Sequence, residues 1–207
     1  MSIASISLQS ESTQNLQWLT IEQWQEFVDA FENGSNFHHR EWIELIQNQY
    51  GFALHIPALV QTDETLAALP LFQTRSLTGK RKLISLPFTD YLPILSKSPS
   101  YLDVLAKKIQ HHFGNQYHSI LLKTDGPIPS AKNQSHHVVH VLRTDRPLQE
   151  IEMGFANPIR VNLRKAKRRG LDFQIHTDRK ALDTFFQLHT LTRRKLGVPV
   201  QPRRYFD

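Results

Sequence analysis

The chain contains no cysteine and only two methionines among its 207 residues. The missing thiols exclude disulfides, thiol nucleophiles, iron–sulfur clusters and thiolate zinc sites together, and they fit a reducing compartment such as the cytoplasm. Long apolar runs are also missing. Ile56–Val60 and Leu66–Phe72 fall far short of the roughly 18 residues that a membrane span needs. The start, Met1-Ser2-Ile3-Ala4-Ser5, has neither a basic segment nor an apolar core, so no secretory signal is expected. Eight glycines and 11 prolines exclude collagen-like or elastic repeats. What is present is ordinary for a globular protein: 40% hydrophobic, 10% aromatic and 21% charged residues. That is too rich in large apolar side chains for a chain that stays disordered.

The net charge of +6 is unevenly placed. Residues 160–207 hold 13 Lys+Arg against 4 Asp+Glu, whereas residues 1–159 hold 12 against 15. A basic last quarter points to an anionic partner such as phosphate, nucleic acid or an acidic surface, or else to a solvated face neutralised by a neighbouring domain.

Hydrophobic spacing predicts the elements in order. Ile3–Leu8 is a short alternating stretch. Thr20 caps a helix over Ile21–Phe31, with Trp24, Phe27, Val28 and Phe31 on one side. A second helix is expected over His39–Tyr50, stopped by Gly51. Strands follow at Ala53–Val60, Leu66–Thr74 and Lys82–Leu86, and a further extended piece at Leu92–Leu95. A helix over Tyr101–Phe113 leads to Tyr117–Lys123, whose Ile120-Leu121-Leu122 run reads as a central strand buried on both faces. His136–Arg143 alternates weakly, as another strand would. Pro158 at a first helical position opens a helix to Arg169, Leu171–His176 reads as a strand, and Asp178 opens a longer helix to Lys195. A strand and two helices cannot close a core alone, so the last elements either pack on the first domain or belong to a longer protein.

The basic helix is the strongest local signal. Arg160, Arg164, Lys165, Lys167, Arg168 and Arg169 lie on about three turns with no acid among them, and they repel one another. Ile159, Leu163 and Ala166 form a docking stripe beside an edge of Arg160, Arg164 and Lys167. An anionic ligand on that edge and a merely solvated face both remain open. Asp90, in Pro87-Phe88-Thr89-Asp90-Tyr91, and Asp125, in Lys123-Thr124-Asp125-Gly126-Pro127, follow strands and could act as general bases, although Asp beside Gly or Pro is also ordinary turn chemistry. The 11 histidines include the adjacent pairs His38-His39, His111-His112 and His136-His137, which point apart, and no His-Glu-x-x-His pattern occurs; no metal is expected. Phosphate-binding glycine loops, the usual acyl-CoA pyrophosphate loop of N-acetyltransferases and the Gly-x-Ser-x-Gly elbow are likewise missing.

Several segments together resemble the FemAB-like acyltransferases, the family of peptidoglycan interpeptide-bridge aminoacyltransferases and BioF2-like acetyltransferase relatives from exopolysaccharide clusters. They are Asn162–Leu171, Phe185-Phe186-Gln187-Leu188-His189, Arg193–Pro199 and Pro202–Phe206, with Phe37–Trp42, Leu69-Pro70-Leu71 and Ser85–Tyr91 upstream. The resemblance covers about residues 20–207. It implies an α+β, GNAT-like, mixed but mainly antiparallel sheet flanked by helices in residues 1–150. Residues 151–207 would be a basic connecting helix and the incomplete start of a second GNAT-like half, most of which is then missing. It further implies acyl or aminoacyl transfer to an amine in cell-envelope or exopolysaccharide biosynthesis, weak or absent in such a fragment. The donor would be an aminoacyl-tRNA or an acyl-CoA used as co-substrate, with no tightly bound cofactor. Asp125 looks equivalent to the family's suggested base, Asp90 is the second candidate catalytic acid, and Arg160, Arg164, Lys167, Gln201, Arg203 and Tyr205 would hold substrate. Gln201 stands where the family has a substrate-holding Arg, and Glu44 stands where it has a Lys, which weakens the case for its usual peptidoglycan precursor. The alternative is a non-catalytic module that binds RNA or a nucleotide-linked glycan precursor through residues 158–169.

Overall fold

Thr20 begins the first helix by a reciprocal cap. Its hydroxyl accepts from the Gln23 amide (3.2 Å) while the Gln23 side chain accepts from the Thr20 N–H (2.9 Å). The computed structural model describes residues 14–32, 34–76, 78–89, 94–124, 126–133 and 140–207, which fall into two compact units, 1–134 and 135–207. In the first unit, strand β1 (Asn15–Trp18) precedes helices α1 (Ile21–Asp29) and α2 (Arg40–Tyr50). Trp24, Phe27 and Val28 of α1 and Ile43 and Ile46 of α2 are buried, and the Trp24 indole donates to the His38 carbonyl (2.7 Å). Gly51 ends α2 at a φ of +64°, a conformation that other residues adopt only at a cost.

Strands β2 (Ala53–His55), β3 (Pro57–Gln61), β4 (Glu64–Ala68) and β5 (Leu71–Arg75) follow. The sequence predicts two strands here, and the structure divides each in two. The divisions fall at Ile56 and at Leu69-Pro70, and Pro57 and Pro70 bring no amide hydrogen to the ladder there. Register is nevertheless kept: Ala58 pairs with Ala68 and His55 with Leu71, so the two ladders are segments of one ribbon. Its tip is the two-residue turn Thr62-Asp63, with φ of 47° and 63°, the conformation that suits a tight hairpin.

Strands β6 (Arg81–Ser85) and β7 (Leu95–Ser96), helix α3 (Pro99–Phe113) and strand β8 (Ser119–Leu121) complete the unit. One sheet has the antiparallel order β1-β3-β4-β7; the other has the order β2-β5-β6-β8, in which only β6 and β8 are parallel. The expected α+β, mainly antiparallel architecture is therefore observed. Helix α3 lies on the first sheet, and Leu105, Ile109 and Phe113 close a core with Leu59, Leu66, Leu69, Leu71 and Leu83. The Tyr117–Lys123 expectation is corrected: among the described residues β8 is a short strand at the edge of its sheet, and Leu121 is 54% exposed. A run of apolar residues records burial on average, not the number of ladder partners.

In the second unit, α4 (Leu148–Gly154), α5 (Asn157–Arg168) and α6 (Arg179–Lys195) precede a 3-10 turn at Arg203–Tyr205. Both later helices match the sequence reading, including the Asp178 cap, whose carboxylate accepts from the Ala181 amide (2.9 Å). The Leu171–His176 strand does not form. The segment has strand periodicity but no ladder partner among the described residues, and Phe173 and Ile175 are more than four-fifths exposed. Ile3–Leu8 and the first part of His136–Arg143 lie outside the described residues, and residues 140–143 form no strand. Ile151 alone is fully buried among the described residues of this unit, whereas the first unit has a continuous core.

Hydrogen exchange should follow that difference. Amides of α6 are expected to open well before those of β5 and β6. Equal protection in the two regions would show that the second unit has a core of its own.

Candidate active site

Because β6 and β8 run parallel, with Lys82 beside Ser119 and Ile84 beside Leu121, both strands end at the same edge of their sheet. In an α/β arrangement, the carboxyl ends of neighbouring parallel strands are where loops converge on a ligand. The turn that leaves β6 is strained: Leu86 and Phe88 have φ of +45° and +60°. Such conformations cost about 1–3 kcal/mol each for residues with a side chain and persist only where surroundings enforce them.

The enforcement comes from the segment that leaves β8. The Lys123 ammonium donates to the Leu86 carbonyl (3.2 Å) and to the Thr89 carbonyl, while the Lys123 amide donates to the buried Ser85 hydroxyl (2.7 Å). From the other side the Trp42 indole N–H donates to the Thr89 hydroxyl (3.1 Å). The Phe88 ring stacks on Tyr50 at 4.3 Å, and Tyr50 stacks on Phe52 at 5.5 Å. Ser85 and Thr89 are almost fully buried, so each polar atom here needs the partner it has. Asp90 and Asp125 themselves lie outside the described residues. Their described neighbours Thr89 and Lys123 are joined by hydrogen bond, although they are far apart in sequence.

Beyond Asp125 the chain is pinned again. Asn133 accepts from the Ile128 amide (2.9 Å) and donates to the Ile128 carbonyl (2.8 Å). On α3, Asp103 accepts from the Ser130 amide (2.8 Å) and pairs with Lys107 (2.7 Å). Hydrogen bonds from Lys107 and then Ser130 hold the Asp103 carboxyl at about 2.

The other sequence-predicted residues belong to the second unit and form two groups. Arg160, Arg164 and Lys167 stand exposed on α5; the Arg164 Nε donates to the Arg160 carbonyl (3.4 Å), and Lys167 faces Glu152 of α4 (3.4 Å). Gln201, Arg203 and Tyr205 gather against α6. The Gln201 carbonyl oxygen lies 2.8 Å from the His189 imidazole, and Arg203 pairs with Asp183 (2.6 Å) and stacks on Phe186. Tyr205 packs edge-on against Phe206, which also meets Phe185 and His189. Lys123, Trp42, Ser85 and Thr89 were not singled out by sequence. The sequence signal that could have found them is limited to Thr89, next to Asp90, and Lys123, two residues before Asp125.

Comparison with solved structures locates this arrangement. A crystal structure of FemX superposes on 93% of the chain with a TM-score of 0.58 and 15% identity. The fold is FemX-like. At that identity the fold is what is shared with FemX, and the chain spans about half (53%) of FemX's length. A ribosomal-protein-alanine N-acetyltransferase from Brucella melitensis biovar Abortus 2308 (TM-score 0.38, 12% identity) matches 62% of the chain and 99% of its own. An aminoglycoside acetyltransferase from an uncultured soil metagenomic sample, in complex with sisomicin (TM-score 0.40, 12% identity), matches 63% of the chain and 97% of its own. Neither adds to the argument from FemX. No family model and no curated protein matches the sequence.

Two outcomes test the geometry. Lys123→Met should remove the strap on the left-handed turn, lower stability by about 1–3 kcal/mol in urea titrations, and shift the Trp42 indole resonance while leaving that of Trp24 in place. Asp103 has a depressed pKa, so its support for residues 126–133 is fully present above the ordinary carboxylate range and is lost as pH falls through about 2. The Ser130 amide shift followed against pH should titrate there, and Asp103→Asn should abolish the transition.

Proposed function

We propose that the chain carries the first half of a FemAB-like N-acyltransferase site, with residues 1–150 as its first GNAT-like domain and 151–207 as the start of a second. The observation that carries this reading is the Lys123 strap between the segments leading to Asp90 and Asp125, at the shared end of β6 and β8, within a FemX-like fold. In the proposed step an amine nitrogen attacks the acyl carbonyl of an aminoacyl-tRNA or acyl-CoA. The carbon–oxygen or carbon–sulfur bond to the carrier breaks, and the amine proton passes to Asp125 while the carrier leaves. Asp90 would assist as a second acid. The setting is cell-envelope or exopolysaccharide synthesis in the cytoplasm, where such donors are made.

Gln201, Arg203 and Tyr205 would contribute to substrate holding from the second unit, with Arg203 exchanging Asp183 for an anionic group. Because the chain spans about half of FemX, turnover by the isolated chain is expected to be slow. Supplied with either donor and a panel of amines at near-stoichiometric enzyme, it should form an N-acyl product detectable by mass spectrometry. Asp125→Asn should lower that rate by about 10²–10⁴-fold, the usual worth of a general base. No product with either donor, or an unaffected Asp125→Asn variant, overturns the reading; rapid turnover overturns the expectation of an incomplete cleft.

One observation favours a second reading, a binding module for an anionic ligand: α5 exposes Arg160, Arg164, Lys165, Lys167 and Arg168 and carries no acid. On that reading tRNA or a nucleotide-linked sugar binds saturably, more weakly as salt rises, and reversing Arg164 and Lys167 to Glu removes binding without unfolding. Binding that is independent of salt and of these charges would exclude it.

A further inference from the structure

The hairpin that joins β5 to β6 carries charge of one sign. Arg75, Lys80, Arg81 and Lys82 lie on its two arms, and the sequence has no acid between Glu64 and Asp90. Among the described residues none of the four pairs with a carboxylate. Arg75, Lys80 and Arg81 are exposed, and Lys82 is half-buried. The ladder sets Arg75 directly opposite Arg81, so both side chains leave the same face of the hairpin, with Cβ atoms about 4.5–5.5 Å apart. Like charges placed this way repel, and the pair destabilises the ladder that carries it.

The arms are nevertheless held in place. The Arg81 guanidinium lies over the Tyr117 ring at 5.4 Å, and the Tyr117 hydroxyl donates to Gln73 (2.8 Å), two residues before Arg75 on the same face. A ring contact positions a guanidinium while leaving its N–H groups for an acceptor. The turn between the arms is closed by its own hydrogen bonds. The Ser76 amide donates to the Lys80 carbonyl (2.9 Å) and the Gly79 amide to the Ser76 carbonyl (2.9 Å), with Gly79 at a φ of +78°. The cations are thus arranged before any ligand arrives, which lowers what binding must spend on ordering them.

We infer that this hairpin binds the phosphodiester backbone of a single polynucleotide strand, one phosphate accepting from Arg75 and Arg81 together and a neighbouring phosphate facing Lys80. A phosphate between the two arginines replaces their repulsion with charge-assisted hydrogen bonds. Exposed charges contribute little one at a time, so affinity comes from several phosphates on one chain rather than from a lone ion. An anionic bilayer fits less well. Residues 1–159 hold 12 Lys+Arg against 15 Asp+Glu, and a plane would meet that acidic body along with the hairpin. Because the contacts are to backbone phosphates, no base preference follows. The site belongs to the first unit, shares no residue with α5, and does not rest on the transfer reading.

The test titrates the full chain with a short oligouridylate, inorganic pyrophosphate and phosphatidylserine vesicles, each over a range of salt. The reporters are the Gly79 amide and the Arg81 Nε–H resonances. Oligouridylate should shift both saturably, more weakly as salt rises, and pyrophosphate should bind at least about tenfold more weakly. Exchanging Arg75→Gln and Arg81→Gln together removes one phosphate contact. Oligouridylate binding, read at Gly79, should then weaken about fivefold, and the slope of log affinity against log salt should flatten by about 0.7. Reversing Arg164→Glu and Lys167→Glu on α5 should leave the Gly79 shift in place. No saturable shift with oligouridylate overturns the inference, as does affinity indifferent to the arginine exchange. Pyrophosphate or vesicles shifting the reporters as readily as oligouridylate, or a Gly79 shift lost when only α5 is altered, overturns it too.

Discussion

Residues 53–75 form one antiparallel ribbon that crosses from one sheet into the other in phase, with one register shift further out between Leu59 and Val60, and the rest of the first unit is built on it. Pro57 and Pro70 interrupt its hydrogen bonds where the sheets part, yet both prolines are buried and the pairing on either side stays in phase. One end of the ribbon recruits β1 and β7 and receives α3; the other recruits β6 and, through it, β8. A slip of one residue at the crossing would turn Leu59 and Leu71 out of the core shared with α3. The in-phase ribbon therefore fixes where β6 ends, and with it where the strained turn begins.

At that turn the molecule trades local comfort for position. Leu86 and Phe88 occupy backbone conformations that glycine would adopt more readily. They are held by an ammonium from β8's side and an indole from α2. Three elements distant in sequence thus fix the same few atoms. Backbone kept under such constraint is a feature of sites that must be rigid before a ligand arrives.

Much of this was legible in the chain. The Thr20 cap, the Gly51 stop, the Asp178 cap and the apolar stripe of α3 are local signals, and each produced its element. What escaped depends on partners that lie far away in sequence. Among the described residues β8 has a neighbour on one side only, of which Ile120-Leu121-Leu122 gives no sign, and Leu171–His176 alternates correctly without a described strand to pair with. For the site, the two acids were marked by strand ends, but the roles of Lys123 and Trp42 arise from contacts spanning 34 to 47 residues.

The exposed segment 171–176 has a consequence for handling the protein. Leu171, Phe173 and Ile175 are exposed on a segment that joins no ladder among the described residues, although the Leu171 amide donates to the Ala166 carbonyl and the Phe173 amide to the Asp172 carboxylate. An exposed apolar stretch outside any sheet can pair with the same stretch of another molecule, and such segments seed intermolecular sheets. Solubility at high concentration should thus be governed by this hexapeptide rather than by the large positive charge that follows from α5, and Asp172 acts as its gatekeeper. A lysine in place of Phe173 would add a second gatekeeper without disturbing any buried contact.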